Sequence, residues 1–99
     1  VSRDKQASDY LGRVKQLDCV LCAALDMPQE SVTEAHHLRS GHGMSDRASD
    51  YLVIALCVDC HRGPNGFHGT KTLMKLAKMT ELDLLAETIK ALNSRALTV

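Results

Sequence analysis

Two Cys-x-x-Cys pairs, Cys19-Val-Leu-Cys22 and Cys57-Val-Asp-Cys60, constrain this chain more than any other feature. Two thiols at that spacing in a tight turn reach one ion, and a second pair completes the tetrahedral sulfur set that zinc prefers. Such a cluster ties residues near 20 to residues near 60, so whatever lies between must fold out as a unit and return. The size of the chain makes the tie necessary. A domain of 99 residues with no Trp, one Phe (Phe67) and two Tyr (Tyr10, Tyr51) has a thin core. Small domains of this kind rely on disulfides or a structural metal. A disulfide framework belongs to secreted chains. Val1 to Lys15 carries charge throughout and has no apolar signal region. We therefore expect free thiolates on a structural zinc, contributing on the order of 10 kcal/mol to folding, in a single soluble, cytoplasmic domain with no membrane span.

The local patterns outline the elements. Tyr10, Leu11, Val14 and Leu17 make one apolar helical stripe over Ser2 to Leu17. Ser2 is a candidate N-cap and Asp4 a first-turn acid. Ala23 to Val32, with Pro28, reads as turn or loop. Thr33 to Arg39 is a candidate strand, and Ser40 to Ser49 a Gly-rich polar loop. Tyr51 to Leu56, YLVIAL, is β-branched and apolar and reads as a buried strand. One loop joins the two strands, so an antiparallel hairpin is the simplest pairing. A helical turn begins near Asp59 and stops at Gly63-Pro64-Asn65-Gly66. Thr70 to Met79 is helical, with Leu73, Leu76 and Ala77 on one side. Thr80-x-x-Asp83 approximates a capping box for a last helix whose stripe is Leu82, Leu85, Ile89 and Leu92.

All five histidines (His36, His37, His42, His61, His68) fall between Glu34 and Gly69. Neighbours on a strand point to opposite faces, so one of His36 and His37 can bind metal while the other meets substrate or water. His61 follows the last cysteine and is fixed by it. His68 lies past the Gly-Pro-Asn-Gly turn, which can fold it back towards His61. A site with His36, His61 and His68 as ligands leaves positions open, the mark of a catalytic ion. His42, in a glycine loop, reads as an ordinary polar residue. The formal net charge is zero, which argues against a generic electrostatic nucleic-acid binder. Between His36 and Met79, however, Arg39, Arg47, Arg62, Lys71, Lys75 and Lys78 outnumber Asp46, Asp50 and Asp59. A locally basic face there would suit a phosphate backbone.

The order Cys-x-x-Cys, His-His at a strand end, a strand ending LC-x-x-CH, then a further His resembles the HNH nucleases. The string GHGMSDRASDYLVIALCVDCHRGPNGFHG and the final ELDLLAETIKAL resemble the phage and prophage branch of that family, the Ref-like recombination nucleases. The likeness covers about Asp18 to Leu92. It implies an α+β fold: a small zinc-stapled ββα-metal hairpin-helix core with flanking N- and C-terminal helices. It implies Cys19, Cys22, Cys57 and Cys60 on structural zinc. It assigns His36, His61 and His68 to a catalytic divalent ion (Mg²⁺, Mn²⁺ or Zn²⁺), and His37 as general base. The family's central Asn has no counterpart here; Asp50-Tyr51 stands in its place, and Asp50 takes the loop-fixing part. The implied activity is metal-dependent hydrolysis of DNA phosphodiesters to 5′-phosphate and 3′-hydroxyl ends, in phage or prophage recombination or DNA processing. DNA is the implied partner, with a recombination protein as a second. Arg39, Arg47 or Arg62 would hold the backbone. The competing expectation is a non-catalytic zinc module that binds DNA or a protein, or a domain whose last helix docks on a partner.

Overall fold

The computed structural model describes residues 4–39, 49–63 and 66–97, with the backbone alone for 66–68 and 95–97. The element order is α1 (Lys5–Lys15), α2 (Val20–Ala24), β1 (Thr33–His37), β2 (Val53–Cys57), α3 (Val58–Arg62), α4 (Gly66–Ala77) and α5 (Glu81–Leu97). The class is α+β. β1 and β2 form a two-stranded antiparallel sheet in which His36 faces Ile54 and Glu34 faces Leu56. The ladder continues by one backbone bond at each end, Leu38 N–H to Leu52 C=O and Val58 N–H to Val32 C=O.

All five residues of β2 are buried. An alternating pattern would leave one face in water; continuous burial means both are covered. α1 and α5 both pack on this strand. Leu11, Val14 and Leu17 pack into the same core as Leu21, Ile54, Leu56, Leu84 and Leu92. The free edge of β2 is also satisfied. Thr88 Oγ1 accepts the Ala55 N–H at 3.2 Å and donates to Leu84 C=O at 2.9 Å, so a buried backbone donor keeps a partner where the sheet ends.

Several helix ends are set by side chains. Asp4 Oδ1 takes the Ala7 N–H at 2.7 Å, so Asp4 is the N-cap of α1 rather than a first-turn acid. The expected cap, Ser2, lies outside the described residues. The Thr80 box forms as the spacing predicts: Asp83 N–H donates to Thr80 Oγ1 at 3.1 Å and Thr80 N–H to Asp83 Oδ2 at 2.9 Å. α2 and α4 both end in the paired reverse bonds of a Schellman motif. Met27 N–H reaches Cys22 C=O and Asp26 N–H reaches Ala23 C=O; Met79 N–H reaches Met74 C=O and Lys78 N–H reaches Lys75 C=O. The turning residue, usually Gly, is Asp26 (φ 55°) in one and Lys78 (φ 58°) in the other.

Boundaries differ from the sequence expectation in identifiable ways. β1 stops at His37 and β2 starts at Val53; Tyr51 and Leu52 before it are exposed, and the Tyr51 ring lies tilted against Tyr10 with centroids 4.9 Å apart. α2 occupies part of the expected loop, and α4 begins at Gly66 rather than Thr70. Leu76, expected inward, is exposed. The stripe of α5 is also rotated. Leu82 (66 %) and Ile89 (43 %) are exposed, while Glu81, Leu84, Leu85, Thr88 and Leu92 face inward. The buried polar residues Glu81 and Thr88 hold those inward places because each satisfies a buried partner on the hairpin side. Among the described residues no helix is long and apolar enough to cross a membrane.

Candidate functional site

The two cysteine pairs meet. Cys19 and Cys22 bracket the first turn of α2, Cys57 ends β2, and Cys60 lies one turn into α3. All four are buried and free of disulfides. Their sulfurs lie within 4.8 Å of one another. Cys22 Sγ is 3.8 Å from Cys57 Sγ and 3.7 Å from Cys60 Sγ. A disulfide needs about 2.0 Å. The edge of a sulfur tetrahedron around zinc, with Zn–S near 2.3 Å, is about 3.8 Å. The cluster therefore has the dimensions of a four-thiolate metal site, and it can hold an ion such as zinc.

The electrostatics of the cluster call for a cation. The Cys60 thiol, bonding to the Cys19 sulfur, pulls Cys19 down to about 5. Burial pushes Cys22 up to about 12, with the Cys19 charge adding to it, and the bond to Cys19 raises Cys60 strongly. A Cys19 thiolate is favoured, and ionisation of Cys22 and Cys60 beside it is resisted. A divalent ion removes that resistance by supplying the missing positive charge. Struts hold the frame. Cys22 N–H donates to Cys19 Sγ at 3.4 Å, and Cys19 N–H to Gln29 Oε1 at 2.7 Å. Gln29 Nε2 in turn donates to Thr33 Oγ1 at 2.9 Å. Thr70 Oγ1, buried on α4, donates to Cys60 C=O and lies 3.2 Å from His61 C=O. Gly63 closes α3 so tightly that a Cβ there would sit 2.5 Å from Asp59 C=O.

The histidines lie beside this frame. His36 on β1 and His61 on α3 approach edge to face, with ring centroids 4.8 Å apart. His37 Nε2 donates to Asp50 Oδ1 at 2.8 Å, in the connection that leads to β2. The expected divergence of the two adjacent histidines is thus present: one meets α5, the other meets Asp50. The side chain of His68 lies outside the described residues, although its backbone belongs to α4. His42 and Arg47 also lie outside them.

Three carboxylates organise the imidazoles, and two of them had not been singled out from the sequence. Glu81, the first residue of α5, takes His36 Nε2–H at 2.9 Å and the Arg39 N–H at 3.1 Å on each oxygen. The His36 and Glu81 side chains are only 4 % and 5 % exposed. Burial lowers the His36 imidazole below its ordinary range, while Glu81 pulls the other way. Burial wins, so a neutral ring donates to the carboxylate. Glu34 takes His61 Nδ1–H at 2.9 Å and a forked Arg62 guanidinium, Nε at 2.9 Å and Nη2 at 2.7 Å. That guanidinium holds the Glu34 carboxyl down at about 2, with His61 adding to the effect. Nδ1–H held by Glu34 leaves the lone pair of His61 on Nε2, the arrangement of carboxylate–histidine pairs behind metal ligands. Glu34 was legible: it sits two residues before His36 on the same strand face. Glu81, 45 residues from His36 in sequence, carried no local signal beyond its place after the Thr80 cap.

Comparison with protein-family models, with curated proteins and with solved structures gives no match.

Proposed function

We propose that the chain is a metal-dependent DNA endonuclease of the HNH, ββα-metal type, acting in phage or prophage recombination or DNA processing. The observation that carries this reading is the approach of His36 and His61 at the junction of hairpin and helix, each ring held by a carboxylate, with His37 oriented by Asp50 on the other face of the strand. In this reading the four cysteines hold structural zinc, since four thiolates leave no position for substrate. The cluster fixes α3 and so the place of His61.

His36 and His61, with His68 on α4, would hold the catalytic divalent ion; when bound it would polarise the scissile phosphate and stabilise charge on the leaving oxygen. The remaining chemistry belongs to the protein. Asp50 keeps the His37 Nε2 proton, so Nδ1 carries the lone pair and accepts a proton from water. The water oxygen bonds to phosphorus as the P–O3′ bond breaks. The 3′ oxygen takes a proton from solvent, leaving a 5′-phosphate and a 3′-hydroxyl. Asp50 acts in this scheme as a positioning residue for the base.

The test is plasmid nicking with and without chelator, with Mg²⁺, Mn²⁺ or Zn²⁺ added back. His37→Ala keeps the fold and the thiolate-bound zinc and loses nicking by roughly 100-fold or more, the usual scale for a lost general base. Undiminished nicking by that variant contradicts the assignment.

One observation favours a second reading, a non-catalytic zinc module that binds DNA or a recombination protein. Among the described residues, the cysteines are the only group whose ligand atoms converge on a single point. Counting metals separates the two: the module binds one zinc and no further divalent ion.

A further inference from the structure

An open groove of about 770 Å³ runs between α4 and the start of α5. Arg39, Lys71, Lys75 and Lys78 line it, with Met74 on its floor. Lys71, Lys75 and Lys78 are spaced i, i+4 and i+7, so they stand along one face of α4 and its exit turn. At about 1.5 Å rise per residue, successive ammonium groups are anchored roughly 4.5–6 Å apart along the axis. All four cations are exposed. The ammonium groups of Lys75 and Lys78 have no hydrogen-bond or ion-pair partner among the described residues. Lys78 takes the left-handed turn position that usually belongs to Gly, so the helix exit carries a cation at this rim where glycine would relieve strain.

Glu81 is the one carboxylate among the described lining residues, and it is turned inward to His36 and the Arg39 N–H. The groove wall and the clamp on His36 are thus the same side chain. A row of point charges along α4, beside the Glu81 that clamps His36, fits a linear polyanion passing this side of the hairpin. A phosphodiester backbone has that form. Apart from the Arg39 guanidinium, the lining offers lysine ammonium groups and thioethers rather than forked base-reading contacts, so the fit is to backbone more than to sequence.

We propose that this groove holds the nucleic-acid backbone flanking the cleaved linkage, with Lys71, Lys75 and Lys78 as its phosphate contacts. The proposal rests on the nuclease reading and extends it to a binding track.

The probes are a short fluorescein-labelled DNA duplex and its single strand, measured by anisotropy across a KCl series. The proteins are His37→Ala, to prevent cleavage, and the same chain with Lys71→Gln, Lys75→Gln and Lys78→Gln added. Glutamine keeps helix propensity and the substituted positions are exposed, so zinc content and circular dichroism stay unchanged. The triple substitution is expected to weaken binding at ~0.1 M salt by about 10- to 100-fold. It should also flatten the slope of log affinity against log salt by about 2.7 for duplex or 2.1 for single strand. The probe that shows the change identifies the form of DNA. An unchanged slope and affinity overturns the groove even if the otherwise native chain nicks DNA. Loss of binding together with a native chain that never nicks keeps the groove and removes the nuclease reading. Tighter capture of polyglutamate than of either DNA, lost in the same variant, makes the occupant an acidic protein and overturns the nucleic-acid assignment.

Discussion

The cysteine cluster and the histidine face lie side by side on α3, yet they are assembled on different principles. The four sulfurs need nothing but one another and an ion. They are buried, they approach to tetrahedral spacing, and Cys22 and Cys60 resist ionisation beside Cys19. The imidazoles are gathered by anions from elsewhere: Glu81 from α5, Glu34 from β1 and Asp50 from the strand connection. The first region holds the fold, and the second is held by it. Loss of one sulfur should therefore remove both regions, whereas loss of one carboxylate should disturb the histidines and leave the sulfurs intact.

The largest expected effect lies on the sulfur side. Cys57→Ser should release the metal and, with it, most of the order of 10 kcal/mol that a structural zinc contributes. Circular dichroism should show a largely unfolded chain at room temperature, and elemental analysis should show loss of zinc. A folded, zinc-free Cys57→Ser variant would break the distinction. A smaller effect follows on the histidine side. Glu81→Ala removes the acceptor of His36 Nε2–H and of the Arg39 N–H, which should cost about 2–3 kcal/mol, seen as a lowered thermal midpoint with zinc content unchanged. Glu81→Gln keeps an acceptor and should recover most of that loss.

The smallest effect concerns pH. Glu34 sits at about 2 in the fold because of Arg62 and His61, against an ordinary value near 4.3. A depressed carboxyl contributes stability that is present above the unfolded value and lost as pH falls from about 4.3 towards 2. The pair with Arg62 is largely exposed and screened, so the contribution to stability is small. The shift itself is measurable. The ¹³C carboxyl resonance of Glu34 should stay in its ionised position down to pH 4 and begin to titrate there in Arg62→Ala.

The sulfur region was legible in the sequence because spacing alone specifies it. So were the antiparallel hairpin, the apolar stripe of α1 and the Thr80–Asp83 box, each written in local pattern. What escaped was the polar interior. Apolar periodicity selects Leu82 and Ile89 for the buried face of α5, but Glu81 and Thr88 take the inward positions. They do so because they supply acceptors to His36 Nε2–H, the Arg39 N–H and the Ala55 N–H. That requirement comes from residues more than thirty positions away in the chain, which no local window contains. The meeting of His36 with His61 was expected from the residue types; the carboxylates that orient them, Glu81 and Glu34, were not. The strand boundary at Val53 also escaped, since YLVIAL is apolar throughout and only the contact of Tyr51 with Tyr10 separates its exposed start from its buried end.

The most direct measurement of the account is a metal count on the native chain and on His61→Ala, with elemental analysis for zinc and electron paramagnetic resonance for added Mn²⁺. Native protein should hold one zinc through chelator washing and bind one Mn²⁺ reversibly. His61→Ala should keep the zinc and lose the Mn²⁺. One zinc and no Mn²⁺ in the native chain would contradict a second, histidine-built site.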